Sequence, residues 1–268
     1  MRLRALFGTA LLALSGWGIL QAQKPFRAYY GAEYADFPLP NDWNQPAEWT
    51  RARLRFRALF TVHGAPANPG QWTVDYPRSD RHLLQGIRRL TRIDTRSVEQ
   101  VVDLDGGDDI YNWPFLYSVE PGHWNLRDEE GRQLREYLLR GGFLMLDDFH
   151  GTEEWANFIR GLSKAFPDRK TVDLDNKDPI FHVIYDLDDK IQVPGLQYLY
   201  SRRVAEWDGF DAKWRAVYDD QGRIIVAICH NMDLGDAWEH SDDAIYPEKF
   251  SALAYRIAVD YVAYDLTH

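Results

Sequence analysis

The chain has 268 residues, of which 45% are hydrophobic, and a formal net charge of −10 from 41 acidic and 31 basic side chains. That length suits one large domain or two small ones, and the acidic balance argues against a nucleic-acid partner, whose binding is driven by clustered Lys and Arg. The single cysteine, Cys229, excludes an intramolecular disulfide, so stability must come from a core of large rings, supplied by 10 Trp, 15 Tyr and 13 Phe.

Arg2 and Arg4, the apolar run from Ala5 to Leu14 and the small-residue site Leu20-Gln21-Ala22 read as a secretory signal peptide over residues 1–22. Its removal would place the chain in the periplasm or outside the cell. The apolar run is short of the ~20 residues of a spanning anchor, and no transmembrane span is expected in the mature chain. Residues 23–50 carry Pro25, Pro38, Pro40 and Pro46 among aromatics and read as an extended lead-in, a candidate contact for another envelope protein. The domain proper is expected over 51–268.

Arg53 to Val62 reads as a first strand, and the spacing of Leu83, Leu84, Ile87 and Leu90 predicts a helix with Ser79 as its N-cap. Val98 to Leu104 and Phe115 to Val119 are expected strands. Asn125 is positioned to cap a helix with acids in its first turn and the stripe Leu134, Tyr137, Leu138, stopped by Gly141-Gly142. Phe143 to Leu146 is an unbroken apolar strand of the kind a sheet covered on both faces requires. Helices over Glu153 to Phe166 and from Pro247 onward, and a hairpin of Trp214 to Tyr218 with Arg223 to Cys229, complete the pattern. The expected fold is α/β, a mostly parallel sheet with helices on both faces and an antiparallel hairpin near the C-terminus. Ligands in such sheets bind beyond the carboxyl ends of the strands.

Two clusters stand there. Asp147, Asp148 and His150 offer oxygen and nitrogen donors for a divalent metal ion, although neighbouring strand side chains point apart and converge only if the chain turns. The plainer reading is that an aspartate or Thr152 caps the next helix. Asn231, Asp233 and Asp236 follow another strand. They fail the calcium-loop spacing, and Asp or Asn in such a place commonly bonds its own turn. The acidic loop Asp103 to Asp109 reads as a solvated face. Cys229 continues an apolar run and reads as an inert buried thiol, and His268 could serve a site only if the last helix packs near it. No Gly-x-Ser-x-Gly elbow, His-Glu-x-x-His, phosphate loop or dinucleotide fingerprint is present.

At Asp75-Tyr76-Pro77, Gly141 through Gly151, Asn231 through Glu239, Tyr246-Pro247 and Thr267-His268 the chain resembles the bacterial domain of unknown function family 4159, over about residues 51–268. The resemblance implies a flavodoxin-like fold grouped with the class I glutamine amidotransferase-like superfamily. It adds Asp75 and Glu239 to the candidate ligand-binding set of Asp147, Asp148, His150, Asn231, Asp233 and Asp236. Amidotransferases place a cysteine after a strand in a Gly-rich turn and pair it with a His-x-Glu; here that strand ends in Asp147-Asp148, so glutamine hydrolysis is not expected. Two readings follow: an exported domain binding a small polar ligand such as a sugar, or a metal-dependent hydrolase acting on an envelope or carbohydrate substrate through the Asp/His cluster.

Overall fold

The computed structural model describes residues 24–29, 37–66, 70–188 and 190–268, so the expected signal segment at 1–22 lies outside the described residues. Nine strands are described: β1 (Ala52–Arg55), β2 (Thr61–Val62), β3 (Ala65–Pro66), β4 (Gln100–Asp103), β5 (Phe115–Val119), β6 (Phe143–Asp147), β7 (Val172–Asp173), β8 (Lys213–Tyr218) and β9 (Ile224–His230). The helices are α1 (Arg78–Leu90), α2 (Asp128–Leu139), α3 (Gly151–Ala165), α4 (Gln197–Ser201), α5 (Leu234–Glu239) and α6 (Glu248–Thr267).

Seven strands form one sheet in the order β4-β1-β5-β6-β9-β8-β7. Its first five members are mutually parallel, β8 runs antiparallel to β9, and β7 runs antiparallel to β8 at the edge. The parallel strands, numbered among themselves, follow the order 2-1-3-4-5 of doubly wound sheets. The chain leaves β1 for β4 on one side and returns to β5 on the other, so the crevice at the switch point opens above the carboxyl ends of β1 and β5.

Burial on both faces explains the apolar strands. Leu83, Leu84 and Ile87 of α1, Leu234 and Trp238 of α5 and much of α6 pack with Tyr117, Met145 and Cys229 on one face. Leu134 and Leu138 of α2 and Phe158 and Leu162 of α3 pack with Leu54, Leu144 and Ile228 on the other. Trp113 and Trp238 are both core residues. Among the described residues no helix is long and apolar enough to cross a membrane.

Several local outcomes differ from the sequence expectation for identifiable reasons. The first strand stops at Arg55 because the chain then bonds the turn after β5, through Leu59 N to His123 O at 2.8 Å and an Ala58–Trp124 bridge. It next forms the two-residue hairpin β2–β3. Helix α1 begins at Arg78, which places Ser79 inside it rather than at its cap. For α2 the cap is Arg127, whose amide is bonded by the Glu130 carboxylate at 2.5 Å, in place of Asn125. Gly141, at φ 112°, takes the left-handed turn that ends α2 as expected. The short helix α5 forms where isolated turns were expected.

Candidate functional site

The loops that leave β5, β6 and β9 are laced together above the sheet. Glu120 N bonds Asp147 O at 3.1 Å, Asp148 N bonds Met232 O at 3.1 Å, and Asn231 N bonds Phe149 O at 2.9 Å. Pairing therefore continues past the strand ends. His63, Asp75, Glu120, Asp148 and Asn231 all carry positive φ, between 50° and 64°. Non-glycine residues adopt this conformation at a cost, and such positions gather at functional sites.

Two sets of metal-ligand atoms lie in this rim, each with its members within 4.8 Å of one another: Asp148, His150 and Glu206, and Glu120, His123 and Glu154. His150 Nε2 is 3.2 Å from Asp148 Oδ1 and 3.6 Å from Glu206 Oε1. His123 Nδ1 is 2.9 Å from Glu120 Oε2. Glu154 joins the sets: its Oε2 accepts from the His150 amide at 2.5 Å, and its Oε1 is 2.8 Å from His63 Nε2. His63 comes from the β2–β3 turn and stacks on Trp207, with ring centroids 3.8 Å apart. Asp75, Asp233 and Asp236 form a third such set, and Asp236, Glu239 and His240 a fourth.

So many acids in one buried place repel one another. Burial, then repulsion from Glu120, Asp75, Glu206 and Asp147, pushes the Asp148 carboxyl well above its usual range. Burial and Glu120 push Glu154 up to about 9, and burial with Glu120 and Asp236 pushes Glu206 up to about 7. Asp75 and Asp233 are raised well above the ordinary value by burial and by neighbouring acids. Burial, followed by the neighbouring His230, lowers His150 to about 3, so its imidazole is neutral and free to donate a lone pair.

The sequence candidates divide by what they touch. Asp147 was read with Asp148 and His150 as a ligand set, but the two side chains have separate tasks. Its Oδ2 accepts from Leu234 N at 2.8 Å, Gly235 N at 2.9 Å and the Tyr117 hydroxyl at 3.3 Å, so it caps α5, while its Oδ1 has no partner. Burial pushes it up to about 7. The turn that separates it from Asp148 starts at Asp148 itself, at φ 55°. Asn231 is a brace, with Oδ1 accepting from Gly151 N and Nδ2 donating to Asp211 O, both at 2.8 Å. Asp208, bonded to Thr152 N at 2.9 Å, caps α3. Asp233 bonds its own turn at Asp236 N, as the plainer reading expected, and still belongs to an acid set.

Away from the acid centre, Asp103 is held by Arg55 at 2.5 and 2.7 Å, and Asp105 to Asp108 are exposed. Cys229 lies in the α1/α5/α6 core, its thiol pushed up by burial, whereas His230 faces Phe149 and Trp155 on the other side of the sheet. His268 stacks on Tyr264, whose hydroxyl accepts from Ile224 N at the start of β9. The chain end is therefore at the amino edge, away from the site. Sequence reading missed His63, Glu120, His123, Glu154 and Glu206. The first signal available was Glu120-x-x-His123 directly after an expected strand; Glu206 and His63 carry no local signal.

Open space lies beside the centre. A groove of about 630 Å³ at the carboxyl ends of β1 and β4 is lined by Arg55, Phe56, Arg57, Phe60, Trp72 and Asn125 among others. Gln71, next to Trp72, donates to Glu120 Oε1 at 2.7 Å and so connects groove and centre.

The architecture is that of a doubly wound α/β protein with a carboxylate and imidazole centre on the carboxyl rim of its sheet. Residues 58–266 match the family model described as Domain of unknown function (DUF4159), and the chain belongs to that family. No curated protein matches the chain.

Proposed function

We propose that the protein is a divalent-metal-dependent hydrolase whose ion is held by Asp148, His150 and Glu206. The supporting observation is the convergence, beyond the strand ends, of two carboxylates and a neutral imidazole that is only 3% exposed, with ligand atoms within 4.8 Å. A site of mixed oxygen and nitrogen donors suits Mn²⁺, Zn²⁺ or Mg²⁺. Held by Asp148, His150 and Glu206, the ion would supply Lewis-acid activation of a water molecule for attack on the substrate. The fold also resembles the class I glutamine amidotransferase-like group, but with Asp147-Asp148 at the end of β6 and the one cysteine in the core, glutaminase chemistry has no nucleophile here. The signal-like segment makes a periplasmic or secreted setting, and an envelope or carbohydrate substrate, part of the proposal.

Elemental analysis of protein purified without chelators tests it. Stoichiometric metal is expected, with at least tenfold weaker retention in Asp148→Asn and His150→Ala; metal-free protein that also ignores added Mn²⁺ and Zn²⁺ would remove the reading. A second reading, a binding domain for a small polar ligand such as a sugar, is favoured by the 630 Å³ groove with its arginines and rings. Calorimetric saturation by such a ligand in EDTA, without turnover when metal is restored, would favour it.

A further inference from the structure

We infer that the rim takes a second divalent cation, on Glu120, His123 and Glu154, so that the centre is a two-ion site. The inference rests on the metal-dependent reading above and extends it. His123 is 9% exposed, and its Nδ1 faces Glu120 Oε2 at 2.9 Å while making no hydrogen bond. The two groups face one another at ion-pair distance with no hydrogen bond between them, an arrangement that two ligands of one ion also adopt. Glu154 supplies the third donor from α3 and is fixed in place, with the His150 amide on one oxygen and His63 Nε2 at 2.8 Å from the other. His63, from the β2–β3 turn, thereby steadies the Glu154 carboxylate.

The backbone is built to bring this set close to the first. A Cβ at Gly122 would stand 2.5 Å from Glu154 Cβ, so only glycine lets the Glu120–His123 turn lie directly on α3. Glu154 then spans from the second set to the His150 amide of the first. The turn sits above β5, at the switch point of the sheet, while His150 follows β6, its neighbour. Two ions ~3.5–4 Å apart can stabilise both the attacking and the leaving oxygen of a displacement, which one ion cannot do alone.

Full-length protein stripped with EDTA and titrated with Mn²⁺ provides the test, read by calorimetry and by low-temperature electron paramagnetic resonance. Two equivalents are expected, with the isolated-ion spectrum giving way to an exchange-coupled multiline spectrum as the second binds. His123→Gln and Glu120→Gln should each keep one equivalent and lose the coupled spectrum, their folding checked by near-ultraviolet circular dichroism. If either variant does not fold, the wild-type stoichiometry and spectrum decide alone. One equivalent in the wild type, with an uncoupled spectrum, overturns the second ion and leaves the hydrolase proposal standing. No binding of Mn²⁺ overturns both.

Discussion

Beneath the acids, Arg51, just before β1, and Arg53, within it, point to one carboxylate. Arg51 Nε is 2.8 Å from Asp80 Oδ1, Arg53 Nε is 2.9 Å from Oδ2, and all three side chains are wholly buried. Burial alone would raise Asp80, but the two guanidiniums overcome it and hold the carboxyl below its usual value. Two cations on one anion leave a buried positive charge, and Arg51 lies 4.1 Å from the centre of the Tyr117 ring, whose hydroxyl reaches Asp147. Arg53 also favours the charged form of Asp75. The acid centre thus stands on a cationic base. Removing the shared partner leaves two unpaired buried charges, so Asp80→Asn should cost about 3–5 kcal/mol in urea unfolding; a loss below about 1 kcal/mol would mean that water or Glu99 replaces it. In the sequence, arginine at every second position from 51 to 57 resembles a solvated strand face. Only the arrival of Asp80 from α1 makes the first two buried.

At the scale of elements, Asn231 ties three segments: the turn after β9, the start of α3 through Gly151 N, and the loop before β8 through Asp211 O. Its φ of 64° is one that Asn tolerates and Ala does not. Asn231→Ala should therefore destabilise by about 1–2 kcal/mol through the lost cap and loosen the Asp148–His150 turn, read as faster amide hydrogen exchange at Gly151 and Thr152. Unchanged protection there would show that Asp208 suffices. Elements with a long signal were legible from sequence: α2, α6, the strand of β6 and the β8–β9 hairpin each combine an apolar period or run with a turn marker. The helix α5 was not, because six residues hold less than two turns of pattern and its opening acids imitate a loop. The same limit applies to the site. Asp148, His150, Asp233 and Asp236 are visible as polar residues that end apolar strands, whereas Glu206, Glu154 and His63 reach the rim from elements whose placement only tertiary packing decides.

For the molecule as a whole, the raised carboxyls make stability depend on pH, and the proposed ions would couple that dependence to cations. Asp147 and Glu206 lie at about 7 and Glu154 at about 9, against ordinary values of 3.8 for Asp and 4.5 for Glu. A carboxyl raised by folding binds its proton more tightly in the folded state. Its contribution is fully present below the unfolded value and is lost as pH rises through the folded one. The lowered imidazoles have the opposite sign: His150 at about 3 and His230 at about 4 contribute fully above the ordinary 6.5 and lose that contribution as pH falls. Above pH ~7 the lowered imidazoles and the acids at about 7 have largely titrated while Glu154, at about 9, still holds its proton, so in EDTA the melting temperature should fall between pH ~7 and ~9. Saturating Mn²⁺ replaces protons at the centre and binds more tightly as they leave, so it should flatten or reverse the slope. Asp265, raised to about 7 by burial near the far end of α6, lies outside the centre and has largely titrated above pH ~7, so it adds little to that slope under either condition. Asp265→Asn serves as the control: it should leave the EDTA slope nearly unchanged, and Mn²⁺ should flatten or reverse that slope as in the wild type. A slope that persists unchanged when the cation is added would mean that the rim acids carry their protons for the fold's own sake and hold no ion.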